Sequence, residues 1–157
     1  MAACDARLFD AYANWYRMHA QLEGMPDEQW EALANGQRDA AQFPEVQESI
    51  RLLRDAAEQF RQGAEGTEEL LNEPAQLTVR GQRLEGRARD KVRASIEYNL
   101  QGWRELAERV DEMAAMLEKA QAPSIEQVQG IEEVMKRQHD VADQRSRDLR
   151  LLDEVRR

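Results

Sequence analysis

The sequence predicts an all-α fold: an elongated antiparallel bundle of four to five helices, ending in a long C-terminal helical hairpin. Three observations carry this. From Arg87 to Ala120 the positions Val92, Ile96, Asn99, Trp103, Leu106, Val110, Met113, Leu117 and Ala120 step alternately by four and three, which stacks them on one helix face. A second such seam runs through Val46, Ile50, Leu53, Ala57, Phe60 and Ala64. The third is composition: Ala, Glu, Gln, Arg and Leu dominate, all good helix formers, and Val, Ile and Thr are too scattered for sheet. Charged residues make up 34% of the 157, above the share of an average globular protein, as long surface-rich helices require. A single domain over 1–157 is expected.

The elements follow in order. Asp5 is a candidate N-cap for a first helix ending near Glu23. Its core stripe is read as Leu8, Tyr12, Trp15, His19 and Leu22, broadened by Phe9 and Tyr16. Those two rings fit either a core helix wedged between neighbours or an aromatic surface that docks a partner. Met25-Pro26-Asp27 restarts the chain, with Pro suited to a helix start, and the next short helix points Trp30, Leu33 and Ala34 inward. Asn35-Gly36 is a turn signal. Pro44 opens the third helix, with Glu45 and Glu48 at the positive end of its dipole. Gly63, Gly66 and Pro74 predict that this helix breaks up, leaving residues 63–80 as a flexible corner around a short helix at Thr67–Leu71. The long helix starts between Ala75 and Arg87 and ends before Ala122-Pro123. Ser124 and Gln127 form a capping box for the last helix, and so short a connection makes the two antiparallel neighbours. Along that last helix Val128, Ile131 and Met135 continue the seam, Gln138, Ala142 and Arg145 dilute it, and Leu149 and Leu152 restore it. The diluted middle lies at the bundle edge or faces something polar. Asn99, the polar residue in the main seam, is expected to fix register against a facing polar group, as buried Asn does in coiled coils; on that reading Asn99→Leu raises stability and blurs the pairing.

The segment Gly81-Gln82-Arg83-Leu84, with Val92-x3-Ile96 and Trp103-x2-Leu106 after it, resembles the end of the second helix and the third helix of a spectrin-type repeat. The resemblance implies a long helix running up to Gly81. The chain departs from that pattern at Pro74 and at Pro123, and no function is carried over.

Chemical signatures are excluded one by one. Cys4 is the only cysteine, which removes an internal disulfide and a cysteine zinc site. Neither His19 nor His139 has a Glu three positions earlier, so the Glu-x-x-His pairs of di-iron bundles are missing. His139 and Asp143 share a helical face, which leaves a metal protein as a rival reading, although a metal needs three or four ligands. No serine sits in a Gly-x-Ser-x-Gly elbow and no glycine pattern cradles phosphate. No catalytic, cofactor or small-molecule signature is read. The N-terminus has no secretory pattern and no apolar run reaches membrane-span length, so no membrane association and a cytoplasmic location are expected.

Charge carries the remaining information. The net charge is −9. Residues 23–73 hold 13 acidic and 4 basic side chains, which accounts for all of it. Residues 80–93 hold 6 basic and 2 acidic ones. Arg80, Arg83, Arg87 and Lys91 would form a stripe if their segment is helical. The stripe either complements the chain's own acidic helices or docks an acidic partner. Nucleic acid is the rival ligand, disfavoured by overall charge and by the lack of interleaved aromatics. The expected function is a non-enzymatic module that binds another protein, or itself, through helix faces. Its candidate contact residues are Arg80, Arg83, Arg87 and Lys91, with Gln138, His139 and Arg145 on the exposed side of the last helix.

Overall fold

The computed structural model describes residues 2–72, 77–79 and 81–155, with side chains from residue 6 onward. Five α-helices, α1 (Ala2–Glu23), α2 (Asp27–Ala34), α3 (Pro44–Asn72), α4 (Gly86–Glu118) and α5 (Ile125–Val155), are joined by a 3-10 turn at Arg38–Gln42 and a two-residue antiparallel ribbon of β1 (Thr78–Val79) and β2 (Gln82–Arg83). The fold is an all-α bundle.

The four long helices alternate in direction. Tyr12 stacks edge-on against Phe60 and Asn14 bonds Gln59, which sets α1 antiparallel to α3. Arg54 and Arg61 reach Asp111, and Arg104 reaches Glu68, which sets α3 antiparallel to α4. Asn99 meets Gln138, and Lys91 meets Asp148, which sets α4 antiparallel to α5. One apolar cluster runs through all of them, with Trp15, Phe60, Leu53, Leu106, Val110, Leu117 and Val134 fully buried. Both predicted seams lie in it, apart from Val92, Ile96 and Asn99: Ile96 packs part-buried against it, and Val92 and Asn99 are buried outside it.

Four local expectations are corrected. Helix α1 begins at Ala2, ahead of Asp5, because two alanines there are strong helix formers. Its core face is Leu8, Ala11, Trp15, Met18 and Leu22, a rotation that leaves Phe9 72% and Tyr16 62% exposed. The helix is apolar on two opposite faces, so Ala11 and Met18 compete with the rings for the inward face and, being slimmer, let α3 approach. Helix α3 runs unbroken past Gly63 and Gly66 to Asn72. Gly63 lies against Leu8, where a Cβ would stand 2.7 Å from Leu8 Cδ2, so this glycine permits close helix packing. Residues 73–76 and 80, the rest of the supposed flexible corner, fall outside the described residues. In α2, Leu33 is buried and Trp30 packs against the core, whereas Ala34 is exposed and Ala32 takes the inward position.

The hairpin connection is as expected. Ser124 Oγ accepts from Gln127 N–H at 3.1 Å and Gln127 Oε1 accepts from Ser124 N–H at 2.8 Å, a reciprocal capping box. Ala120 ends the α4 seam in the turn itself, buried and at φ 54°. Gly81 to Leu84, which resembled a helix end, instead forms the turn and second strand of the ribbon, with Gly81 at φ 78°.

The open end of the α4–α5 hairpin

The candidate site lies where α4 begins and α5 ends. The ribbon delivers the chain to it: Leu77 and Leu84 are buried and joined by a Leu84 N–H to Leu77 carbonyl bond of 3.0 Å. Gly86, at φ 56°, then turns the chain into α4, a conformation that costs glycine little.

Midway along the hairpin a polar clasp ties the two helices. Asn99, fully buried, donates from Nδ2 to the Gln138 carbonyl and to Gln138 Oε1, both at 3.0 Å. Asn99 Oδ1 accepts from Arg145 Nη1 at 2.7 Å, and the same nitrogen lies 2.9 Å from Ser95 Oγ. Gly102 makes room for it: a Cβ there would stand 2.0 Å from Gln138 Cδ. The polar residue in the seam therefore does face polar groups. Two expected contact residues are reassigned by this geometry. Gln138 is buried rather than exposed, and Arg145 is half-buried and held against α4. The diluted middle of α5 faces something polar because the α4 seam presents Asn99 there.

From His139 to Val155, α5 has no buried residue. A groove of about 490 Å³ opens between Arg87, Ala88, Lys91 and Val92 of α4 and Asp148, Leu151, Leu152 and Val155 of α5. Its floor is apolar, with Leu151 58% and Val155 86% exposed. A smaller apolar hollow of about 210 Å³ continues it towards Ser95 and Val141.

The basic residues are only partly what the sequence suggested. Arg83 sits on β2 and Arg87 and Lys91 on α4, so the three do not form one helical stripe; Arg80 lies outside the described residues. The physical reason is that Gln82 and Arg83 are held in β2, and Gly86, at φ 56°, separates that strand from α4. Lys91 Nζ is 2.7 Å from Asp148 Oδ2, and this lysine, with a hydrogen bond from Gln144, holds the Asp148 carboxyl below its usual range. Arg93 donates to the Leu71 carbonyl at 2.9 Å and to Glu97 at 3.1 Å. Arg83 and Arg87 are exposed and pair with no acidic group among the described residues. Among the described residues the acidic segment 23–73 offers them no pair; its own arginines Arg54 and Arg61 serve Asp111 of α4 instead.

His139 is exposed, with Nδ1 3.9 Å from Asp140, and its supposed metal partner Asp143 is taken by Arg147 at 2.7 Å. Among the described residues no three His, Cys, Asp or Glu side chains converge as a metal site would need. His19, on α1, stands between Glu23 and Glu132 at 3.7 and 3.3 Å, a boundary position. No described helix is long and apolar enough to cross a membrane. Sequence reasoning missed Leu151 and Val155; their i, i+4 spacing just off the seam was the available signal. No family model matches the chain, and no curated protein or solved structure matches it.

Proposed function

We propose that this protein is a non-enzymatic, cytoplasmic helical module that binds another protein in the open end of the α4–α5 hairpin. The observation that carries the reading is the apolar groove floored by Val92, Leu151, Leu152 and Val155, with Arg87 at its rim and unpaired among the described residues. A soluble helix pair gains by covering such side chains, at roughly 25 cal/mol per Å² of apolar surface removed from water. A groove between two helices, apolar at its base and basic at its edge, suits an amphipathic helix whose polar flank is acidic.

The test is affinity capture from the native host with the wild-type chain and with the double variant Leu151→Asp/Val155→Asp, followed by mass spectrometry. Both substituted residues are exposed, so the variant is expected to melt like the wild type. A protein retained by the wild type and lost with the variant supports the reading. Identical capture by both chains overturns it. Binding to DNA or RNA that weakens steeply with salt would favour the nucleic-acid reading in its place.

A further inference from the structure

The outer face of α1 is a second, separate surface. Phe9 and Tyr16 are 72% and 62% exposed two helical turns apart. Ala6 and Ala20 are exposed and Ala13 half-buried along the same line. Residues 6, 9, 13, 16 and 20 follow the spacing of one helix face. The stripe thus alternates rings with alanines, and the alanines allow close approach of another helix. Asp10 and Arg17 flank it on one side, seven positions apart and both exposed. Asp10 has no ion-pair or hydrogen-bond partner among the described residues, and Arg17 makes only a 3.3 Å bond to Asn14 Oδ1.

We propose that this face binds a second copy of the chain, with the two α1 helices antiparallel about a two-fold axis beside Ala13. The face is complementary to itself. A two-fold axis perpendicular to the helix brings like flank to like flank and reverses the residue order. Phe9 of one copy then lies over Tyr16 of the other, alanine meets alanine at the centre, and Asp10 faces Arg17 twice. A face of arbitrary composition would place like charges opposite each other about as often. A 22-residue helix is about 33 Å long and about 10 Å wide, so the contact is small. It lies below the roughly 1,200 Å² of a stable interface, and the dimer is reversible and concentration-dependent.

The test is sedimentation velocity from micromolar to millimolar protein on the wild type, on Asp10→Arg, on Arg17→Asp, on the double variant carrying both, and on an equimolar mixture of the single variants. All substitutions are at exposed positions, and each chain's melting curve reports its folding. Each single variant places two like-charge pairs in the dimer and weakens self-association about tenfold. The double variant and the mixture restore it, because an arginine and an aspartate again face each other at both flank contacts. A wild type that stays monomeric throughout overturns the proposal. So does self-association that the single variants leave unchanged, or weakening that neither the double variant nor the mixture repairs.

Discussion

Replacing Asn99 with leucine tests the clasp that joins the hairpin. A polar residue placed only to specify register would be dispensable for stability, and leucine would strengthen the seam. The geometry reverses that sign. Asn99 supplies the donor for Gln138 Oε1 and an acceptor for Arg145, so leucine strands a buried amide oxygen and removes one acceptor of the Arg145 guanidinium, which keeps its bond to Ser95. An unsatisfied buried acceptor costs about 1–3 kcal/mol, and a hydrogen bond from a charged donor contributes about 1.5–3. Arg145 is half-buried and regains water, which offsets much of the second figure. The leucine side chain returns about 1.5 kcal/mol through added apolar burial. The net expectation is a loss of about 1 kcal/mol, or about 2–4 °C in Tm for a chain of this size. Urea unfolding followed by circular dichroism at fixed pH reads it, and the denaturant slope stays constant if the native fold is kept. Asn99→Leu combined with Gln138→Met removes both partners and keeps the unbranched shape at 138, so the double variant is more stable than Asn99→Leu alone. An Asn99→Leu chain as stable as wild type, or more so, would refute the clasp.

Three further outcomes follow from the same contacts. Gly63→Ala forces Leu8, itself buried, out of its site; the overpacking outweighs the gain in helix propensity, and thermal unfolding shows a net loss of about 1–2 kcal/mol. Ser124→Ala opens the capping box and lowers stability by about 1 kcal/mol in urea titration. At Asp111, burial pushes the carboxyl up, but hydrogen bonds from Arg61 and Arg54 outweigh it and hold the group below its usual range. A carboxyl depressed in the folded state stabilises fully above its unfolded value of ~3.9 and ceases to do so as pH falls through the folded value. Asp111→Asn is therefore less stable than wild type at neutral pH by about 1 kcal/mol, and the difference closes in acid when unfolding is followed against pH.

Periodicity made most of this bundle legible. The seams of α3 and α4 are strict because each helix is buried on one broad face, and the positions between are charged. The capping box and the Asn35-Gly36 turn, where Gly36 adopts φ 66°, were legible because local chemistry alone specifies them. Helix α1 was misread in rotation because both of its faces are apolar, so the pattern does not say which one α3 covers. The break expected at Gly63 failed because a glycine inside a helix reads as a stop in sequence but serves here as a packing notch for Leu8. Gln138 and Arg145 looked exposed because their role depends on Asn99, dozens of positions away in the chain and opposite them in space. The apolar floor of the groove was hidden for a related reason. Leu151 and Val155 are ordinary helix residues until the register of the hairpin shows that no described residue covers them.

Site-specific photo-crosslinking in the native host tests most directly whether the open end of the α4–α5 hairpin binds an acidic helix. Benzoylphenylalanine is placed at Leu151 and, as a control on the same helix, at His139. One discrete crosslinked protein is expected from position 151, absent from position 139 and lost when Arg87→Glu is added. The same adduct from both positions, no adduct from 151, or an adduct indifferent to Arg87→Glu would contradict that binding surface.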